Sequence, residues 1–350
     1  MQQNEIQNSG WWMPAEWARH AATWMVWPHN KALWESGWGV TLPLVQEDFA
    51  RVANTIARFE TVKMIVDPSA VASAKALCGP NIQLIELAVN DSWCRDSGPS
   101  FICHPQQGLA GVSWRFNAWG GKSAHDLDEG LARRVLNHLG VECFAIPLGN
   151  EGGAIHVDGE GTLITTESVL LNPNRNPGMS KAEMEEIFIR FLGVKKTVWL
   201  PGDPDHVTGD MTDGHVDGVC AFARPGVLLV DATHDTDSVY AHVVRENRRA
   251  LELATDAQGR KFELIELFEA TDAVDVGAEV FCASYTNFYI ANDAIIMPAY
   301  GIDADRVAAD VLAKAFPGRE VVPVRINHLA HGGGGVHCIT QQQPAWPLRG

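Results

Sequence analysis

Short apolar runs alternate along the chain with longer stretches whose apolar residues recur at helical spacing. Phe49, Val52 and Ile56 would share one face of a helix, whereas residues 61–66 form a nearly continuous apolar run. The predicted helices cover residues 47–59, 70–77, 126–139, 181–192 and 303–316. The predicted strands cover residues 21–27, 61–66, 82–89, 100–103, 111–116, 142–147, 162–166, 197–200, 280–284 and 320–326. This mixture predicts an α/β protein.

One predicted helix carries signals at both ends. Ser180 is followed three residues later by Glu183, the pair that forms a capping box at a helix N-terminus. Gly193 follows the last apolar position and predicts the end of the helix.

Polar loops recur at a regular spacing. The tetrapeptide His-Val-Asp-Gly begins at His156 and again at His215. Asp96 precedes His156 by 60 residues, His156 precedes His215 by 59, and His215 precedes His337 by 122, which is two further steps. A hairpin follows these loops, and a helix and a strand follow most of them. Such regularity predicts a repeated structural module.

Modules of strand, strand, helix and strand can close into a ring with their loops facing the axis. We therefore predict an α/β fold of five ββαβ modules with pseudo-fivefold symmetry. We expect one domain spanning residues 1–350 rather than a two-domain doubly wound fold. The fourth loop is expected near residue 276, within residues 274–279. Side chains on the five loops would then converge.

Four consecutive glycines, residues 332–335, come shortly before Cys338. Glycine permits backbone conformations that other residues avoid and lets another group approach closely, so this run predicts a turn built around a ligand. Cys338 is then a candidate nucleophile, and a buried structural cysteine is the alternative. His337 is expected to pack or hydrogen-bond locally, because adjacent strand positions point to opposite faces.

The predicted ring brings together Asp96, Glu151, His215, Asp217 and Cys338. A cysteine and a histidine supply a nucleophile and a proton carrier, and two carboxylates match the planar fork of a guanidinium. We expect the thiolate to attack the guanidinium carbon and the histidine to protonate the departing nitrogen. Water would then hydrolyse the S-alkylthiouronium adduct to a ureido product and free thiol. Glu151 would orient His215, and no metal or organic cofactor is required.

These residues also have other interpretations. Asp96 could form an ion pair with Arg95 or stabilise a turn, and Glu151 could cap backbone amides in its glycine-rich loop. An alternative zinc site would combine His156, Asp158, His215 and Asp217, although zinc ligands usually lie closer together along a chain.

Composition narrows the range of partners. The chain has 350 residues, a formal charge of −16 and a sequence pI near 5.2, which disfavours nucleic acid and suits a cationic small molecule. Its seven cysteines form no Cys-x-x-Cys pair and indicate a reducing compartment. The first ten residues are polar and no apolar run is long enough to span a membrane. We therefore expect a cytoplasmic protein.

At these residues the sequence resembles the agmatine deiminase family, which is related to the bacterial-type peptidylarginine deiminases. The resemblance extends almost from end to end. Its motifs are MPAE (13–16), TWM (23–25), WP (27–28), WCRDSGP (93–99), FNAWGG (116–121), EGG (151–153), LNPNRNP (171–177), TDGHVD (212–217) and GVHCITQQ (335–342).

The resemblance implies a five-bladed α/β propeller, also called a pentein, and a hydrolase that converts agmatine to N-carbamoylputrescine and ammonia, a step in putrescine and polyamine biosynthesis. It also implies site roles. These are Cys338 as nucleophile, His215 as acid and base, Glu151 as its partner, Asp96 and Asp217 on the guanidinium, and Trp93, Met211 and Gly335 as further substrate contacts. Family members commonly form homodimers or larger homo-oligomers.

Several alternatives stay open. The family usually carries Glu at the position of Met211 and Asp at the position of Ser113, and Arg115 could repel a distal ammonium or meet a carboxylate. The substrate could therefore instead be free, modified or peptidyl arginine or another alkylguanidine. An amidinotransferase would use the same thiouronium adduct with an amine as acceptor. A non-catalytic guanidinium-binding protein is the alternative from a different class.

Overall fold

The computed structural model describes residues 9–273 and 280–347, and the expected position of the fourth loop, near residue 276, lies outside these ranges. The described strands form five separate sheets. In chain order the strands are β1 (His20–Val26), β2 (Val62–Val66), β3 (Ile82–Glu86), β4 (Ser100–His104), β5 (Gly108–Ser113), β6 (Glu142–Ala145), β7 (Ile155–Val157), β8 (Thr162–Thr166), β9 (Lys196–Leu200), β10 (Cys220–Arg224), β11 (Val227–Ala232), β12 (Glu263–Phe268), β13 (Tyr289–Ile290), β14 (Ala294–Ala299), β15 (Glu320–Arg325) and β16 (Thr340–Pro344).

Helices of very different lengths connect the strands. They are α1 (Leu42–Ile56), α2 (Val71–Leu77), α3 (Cys94–Ser97), α4 (Ala118–Gly121), α5 (Leu131–Leu139), α6 (Glu167–Leu170), α7 (Lys181–Leu192), α8 (Val239–Leu253), α9 (Asp303–Ala315) and α10 (Asn327–Ala330). Within the described part of the chain, no helix is long and apolar enough to cross a membrane.

Four of the sheets share one pattern. Their strand orders are β4-β5-β6, β7-β8-β9, β10-β11-β12 and β13-β14-β15. In each, the first two strands are antiparallel and the third is parallel to the second. A parallel neighbour requires the chain to return to the same end of the sheet, and α5, α7, α8 and α9 provide these crossovers. The predicted ββαβ module is therefore confirmed.

The fifth sheet joins the two ends of the chain. Its strand order is β16-β1-β2-β3, with β16 antiparallel to β1 and β1 parallel to β2. The C-terminal strand thus supplies the first strand of a module whose other strands come from the N-terminal region. The five modules form an α/β propeller, as predicted, and β3 is an additional strand on this blade.

Local sequence signals explain the ends of α7. The Ser180 side chain accepts a hydrogen bond from the Glu183 N–H, and the Glu183 side chain bonds back to the Ser180 backbone. Gly193 then adopts the left-handed conformation (φ 67°) that ends the helix. The predicted capping box and stop are both confirmed.

Several predicted elements differ from the structure in extent or type. The helix predicted for residues 47–59 spans Leu42–Ile56, and the strand predicted for residues 111–116 spans Gly108–Ser113. The helix predicted for residues 126–139 begins only at Leu131, and Leu127 is exposed. The strand predicted for residues 82–89 ends at Glu86. Residues 280–284 form no strand, although the run is apolar, because Ala283 and its neighbours pack against the core as irregular chain.

The main hydrophobic core lies under the N-terminal helix and the last sheets. Trp27, Trp34 and Phe49 are fully buried in it together with strands β13 and β14. Three smaller apolar clusters fill the remaining blades. These apolar clusters pack against the sheets, and the loops that enter the first strands carry the candidate site.

Candidate active site

The residues predicted to form the site lie just before the first strands of four sheets. Trp93 and Asp96 lie at α3 before β4, Glu151 lies before β7, His215 and Asp217 lie before β10, and Cys338 lies before β16. The repeated module therefore presents each of them from an equivalent position.

Three of the predicted residues meet at Gly153. A Cβ atom on this glycine would lie 2.6 Å from His215 Nδ1 and 2.9 Å from both Asp217 Oδ2 and Asp96 Oδ1. The Gly153 N–H also donates a 2.9 Å hydrogen bond to Asp96 Oδ1. Cys338 Sγ lies 3.7 Å from Asp217 Oδ2. The thiol, the imidazole and the two carboxylates are thus brought together, as the ring of modules predicted.

His215 lies between two carboxylates. Its Nε2 is 3.3 Å from Glu151 Oε2, and its Nδ1 is 3.8 Å from Asp96 Oδ1. Burial alone would lower the pKa of His215, but the charge of Asp96 and the hydrogen bond and charge of Glu151 raise it to about 9. The imidazole therefore carries its proton at neutral pH, with Nδ1 facing the centre of the site.

The two central carboxylates have opposite pKa shifts. Burial raises the pKa of Asp96, and the charge of Asp217 adds to this effect although His215 opposes it. Burial would also raise the pKa of Asp217, but the hydrogen bond and charge of His337 lower it below its usual value. A cation placed between them would relieve their mutual repulsion and favour the charged form of both.

The Asn287 side chain contacts Cys338. Asn287 Nδ2 lies 3.2 Å from Cys338 Sγ, and Asn287 Oδ1 accepts a 3.3 Å hydrogen bond from the Cys338 N–H. Burial and the charge of Asp217 raise the pKa of the Cys338 thiol well above its ordinary value. The sulfur is therefore a thiol in the free protein, and a neighbouring cation is needed to favour the thiolate.

Asn287 was not predicted as a site residue. It lies just before β13 and so occupies the position in the fourth module that corresponds to Asp96, Glu151 and His215 in the others. The spacing had placed this position near residue 276. Asn287 follows His215 by 72 residues rather than by about 60, so the position is displaced along the chain.

Arg175 was also missed. Its side chain is fully buried, and its Nε donates a 2.9 Å hydrogen bond to Glu151 Oε1. The same guanidinium binds the Asp213 carboxylate and donates a 3.0 Å hydrogen bond to the Thr212 carbonyl. Burial would raise the pKa of Glu151, but the His215 hydrogen bond and the Arg175 charge lower it. Its place in the motif LNPNRNP (171–177) was the available signal.

A second buried network lies behind Asp217. His337 Nδ1 lies 2.9 Å from Asp217 Oδ2, and His337 Nε2 lies 2.9 Å from Glu16 Oε1. Arg95 and His156 also approach Glu16, at 3.2 and 3.7 Å. The strand-based expectation for His337 was wrong, because residues 337 and 338 lie in a turn before β16 and both side chains reach Asp217.

The alternative zinc site is not assembled. Asp158 instead accepts 2.8 Å hydrogen bonds from the backbone N–H groups of Glu160 and Thr162. Ligand atoms of Glu16, His156 and His337 do lie within 4.8 Å of one another. However, both ring nitrogens of His337 face carboxylates and Arg95 already neutralises Glu16. We therefore do not identify these residues as metal ligands.

The three remaining residues predicted to contact substrate, Trp93, Gly335 and Met211, lie in three different environments. Trp93 packs on the glycine turn beside Cys338 and against Trp34, with ring centroids 5.9 Å apart. Gly335 lies beside Asn287, whose Oδ1 would be 2.7 Å from an added Cβ. The Met211 side chain packs against the hydrophobic core, and its carbonyl accepts a 2.6 Å hydrogen bond from a lysine. Contact between substrate and these three residues stays a prediction.

A cavity of about 340 Å³ opens next to the thiol. Cys338, His215 and Asp217 lie at one part of its wall. Its described lining includes the acidic residues Asp203, Asp210 and Glu269, the hydroxyl-bearing residues Tyr240 and Ser284, and no lysine or arginine. A cavity of this size suits a small molecule, and its charges favour a cation.

Comparison with known proteins agrees with this arrangement. The pattern that defines the Porphyromonas-type peptidyl-arginine deiminase family matches residues 12–344. The chain belongs to this family. A putative agmatine deiminase of Legionella pneumophila is 42% identical over 96% of this chain and 95% of its own length. The agmatine deiminase of Stutzerimonas stutzeri is 40% identical over 97% of both chains.

Solved structures in the family show the same fold. The structure described as the agmatine deiminase of Enterococcus faecalis catalysing its reaction superimposes with a TM-score of 0.89, at 33% identity over 96% of each chain. In the present family member, the motif that begins at Trp93 supplies Asp96, and the motif that begins at Thr212 supplies His215 and Asp217. The motif that ends at Glu16 contributes to the network behind Asp217.

Proposed function

We propose that this protein hydrolyses the guanidinium of agmatine, or of a close analogue, to a ureido group and ammonia. The observation that carries this proposal is the meeting of His215, Asp96 and Asp217 at Gly153, with the Cys338 sulfur 3.7 Å from Asp217. A planar cation fits between two carboxylates, and a sulfur beside them is placed to attack its central carbon.

Substrate binding prepares the nucleophile. Asp96 and Asp217 accept hydrogen bonds from the guanidinium nitrogens, and each carboxylate becomes easier to ionise beside the cation. The same positive charge offsets the burial and the Asp217 charge that keep Cys338 protonated in the free protein. The thiol then loses its proton to solvent, and the thiolate forms where its target is already bound.

The thiolate forms a C–S bond to the guanidinium carbon, which gives a tetrahedral intermediate. His215 enters this step protonated, since its pKa is about 9. Its Nδ1 faces the site and donates a proton to the departing nitrogen, which leaves as ammonia. Glu151 holds the ring in this orientation through a 3.3 Å hydrogen bond to Nε2, and Arg175 holds Glu151 by donating a 2.9 Å hydrogen bond to its Oε1.

The second half of the reaction uses the same histidine as a base. Departure of ammonia leaves neutral His215 and an S-alkylthiouronium adduct on Cys338. Neutral His215 removes a proton from water, and the resulting hydroxide adds to the adduct carbon. Collapse of this intermediate breaks the C–S bond and transfers the hydroxyl proton to the departing sulfur, which releases the ureido product and regenerates the Cys338 thiol.

The cavity wall favours agmatine over an amino acid. Asp203, Asp210 and Glu269 would attract the distal ammonium of agmatine, whereas they would repel the α-carboxylate of arginine. Arg115 donates a hydrogen bond to the Arg175 carbonyl and is not part of the described cavity lining. The acidic wall therefore compensates for the missing Glu at position 211.

An amidinotransferase and a non-catalytic guanidinium-binding protein remain as rivals. The first would need an amine acceptor, so ammonia release without added amine excludes it. The second would form no covalent bond, so a thiouronium or alkylation adduct at Cys338, detected by mass spectrometry, excludes it.

The direct test is an assay of agmatine, arginine, arginine-containing peptides and alkylguanidines of other lengths for ammonia and ureido product. Agmatine is expected to have the highest kcat/KM. Cys338→Ala is expected to abolish turnover while guanidine binding stays measurable, and Asp96→Asn or Asp217→Asn is expected to weaken both. Ammonia release by Cys338→Ala at the wild-type rate would refute the nucleophile assignment.

Three further features are part of the proposal. We infer a single catalytic unit over residues 1–350, since β16 pairs with β1. A cytoplasmic location would account for the seven free cysteines. A homodimer or larger homo-oligomer is expected from the family resemblance, and light scattering after size-exclusion chromatography tests it.

A further inference from the structure

His337 holds an unusual position between two buried carboxylates. Its Nδ1 is 2.9 Å from Asp217 Oδ2, and its Nε2 is 2.9 Å from Glu16 Oε1. An ionised carboxylate can accept hydrogen bonds but cannot donate them, so both ring nitrogens of His337 must donate. Only the imidazolium form has an N–H at both positions. The geometry therefore calls for a positively charged His337.

The surrounding charges are closely balanced. Besides Glu16 and Asp217, His337 faces the Arg95 guanidinium, which is 3.2 Å from Glu16 and whose Nε is 3.4 Å from the His337 carbonyl. The His156 ring is stacked on His337 with centroids 6.2 Å apart. Cys338 follows directly in sequence. Two anions and two cations thus lie together in a buried cluster, and removing one charge unbalances the rest.

We propose that Glu16 and His337 are positioning residues that hold Asp217 ionised and in place beside Cys338. This inference rests on the proposed deimination, because it assigns to Asp217 the role of guanidinium ligand. The motif MPAE thereby acquires a function, since its glutamate reaches the centre of the ring from the segment before β1. His337 also fixes the turn that carries the nucleophile, because it neighbours Cys338 along the chain.

Removal of the Glu16 charge should make the site sensitive to pH. In Glu16→Gln the amide oxygen can still accept a hydrogen bond from His337 Nε2, so the shape of the network is retained. Without the carboxylate, the imidazolium is no longer compensated and His337 releases its proton at a lower pH. Below that pH the extra positive charge opposes binding of a guanidinium to Asp217.

The first measurement is the ¹⁵N NMR spectrum of the histidine side chains over pH 5–9, with His337 assigned from its loss in His337→Gln. Wild-type His337 is expected to show two protonated ring nitrogens beyond pH 7. In Glu16→Gln, His337 is expected to lose one of these two protons at a lower pH than in the wild type. A neutral His337 in the wild type at pH 7 would overturn the inference. This readout does not depend on turnover, so it stands apart from a failure of the proposed function.

The second measurement is KM and kcat for agmatine across the same pH range. Calorimetry then measures agmatine binding to Cys338→Ala and to Cys338→Ala/Glu16→Gln. Glu16→Gln is expected to raise KM about tenfold at pH 6, and much less at pH 8, with little change in kcat, since one pKa unit of lost interaction is tenfold. Glu16→Asp should restore part of the affinity. Glu320→Gln, the same change in a surface ion pair, should match the wild type. A pH-independent KM in Glu16→Gln would contradict the inference.

Discussion

Gly153→Ala is expected to disable the site while leaving the fold intact. Gly153 is not among the glycines with positive φ, so its backbone accepts alanine. The added methyl carbon would lie 2.6 Å from His215 Nδ1. An ordinary contact requires about 3.4 Å, so the His215 ring must move away by about 0.8 Å. Asp96 and Asp217 must also move, because each oxygen is 2.9 Å away.

The magnitude follows from this displacement. Misplacement of a reacting group by about 1 Å costs about 100-fold in rate, which corresponds to about 2.7 kcal/mol of transition-state stabilisation. We therefore expect kcat/KM for agmatine to fall about 100-fold or more. Two ligands of the guanidinium are displaced together with the proton donor, so both kcat and KM should deteriorate.

The assay is ammonia release from agmatine under initial-rate conditions, with thermal unfolding recorded for each variant. Gly130→Ala is the matched control, because its added carbon would meet only an Arg133 nitrogen at an ordinary 3.7 Å. The control should retain wild-type kcat/KM. If Gly153→Ala keeps kcat/KM within about twofold of wild type, the three side chains do not converge as described, since a contact of 2.6 Å could not then be relieved harmlessly.

Three other outcomes are expected. The rate at which iodoacetamide inactivates the free protein should rise about tenfold per pH unit from pH 7 to 9 without a plateau, because the raised pKa of Cys338 keeps its thiolate a minor species. Arg175→Met should lower the free energy of unfolding in urea by about 3–5 kcal/mol, because it removes the buried guanidinium that pairs with both the Glu151 and the Asp213 carboxylates. Ser180→Ala should cost about 1 kcal/mol by removing the capping hydrogen bond to Glu183, with activity unchanged.

Each outcome has a clear contrary result. A plateau in the alkylation rate below pH 8 would mean that the thiol is already activated without substrate. For Arg175, the control is Lys181→Met, which removes an exposed ion pair with Glu167 and should change stability by less than about 1 kcal/mol. Equal losses in the two variants would contradict a special role for the buried pair. A large loss of kcat in Ser180→Ala would contradict the prediction, because it would show that the N-terminus of α7 affects the geometry of the active site.

The local elements were largely readable from sequence because their causes are local. The capping box at Ser180 and the glycine at 193 act through neighbouring backbone groups, and both appear in the structure. The prediction of a strand at residues 280–284 was wrong for the opposite reason. Its apolar residues are buried by distant parts of the chain, and no neighbouring strand pairs with them, so apolar character alone did not make a strand.

The candidate site was predictable where a repeated loop placed a reactive residue at a regular interval. Asp96, Glu151, His215, Asp217 and Cys338 were identified this way, and the structure brings them together. The interval failed in the third module, where 72 residues separate His215 from Asn287, and Asn287 was missed for that reason. Residues without a reactive group of their own, such as the supporting guanidinium at position 175, carried no comparable signal.

The sequence by itself determined the succession of elements, the five modules and the chemistry available on their loops, because periodicity, caps and residue types are properties of short stretches. Only the tertiary structure decided which charges share one environment. Glu16 and His337 are separated by most of the chain, and they meet because β16 pairs with β1 and closes the ring. The protonation states of Cys338, His215 and Asp217 follow from that closure, since burial and neighbouring charges, rather than residue type, set their pKa values.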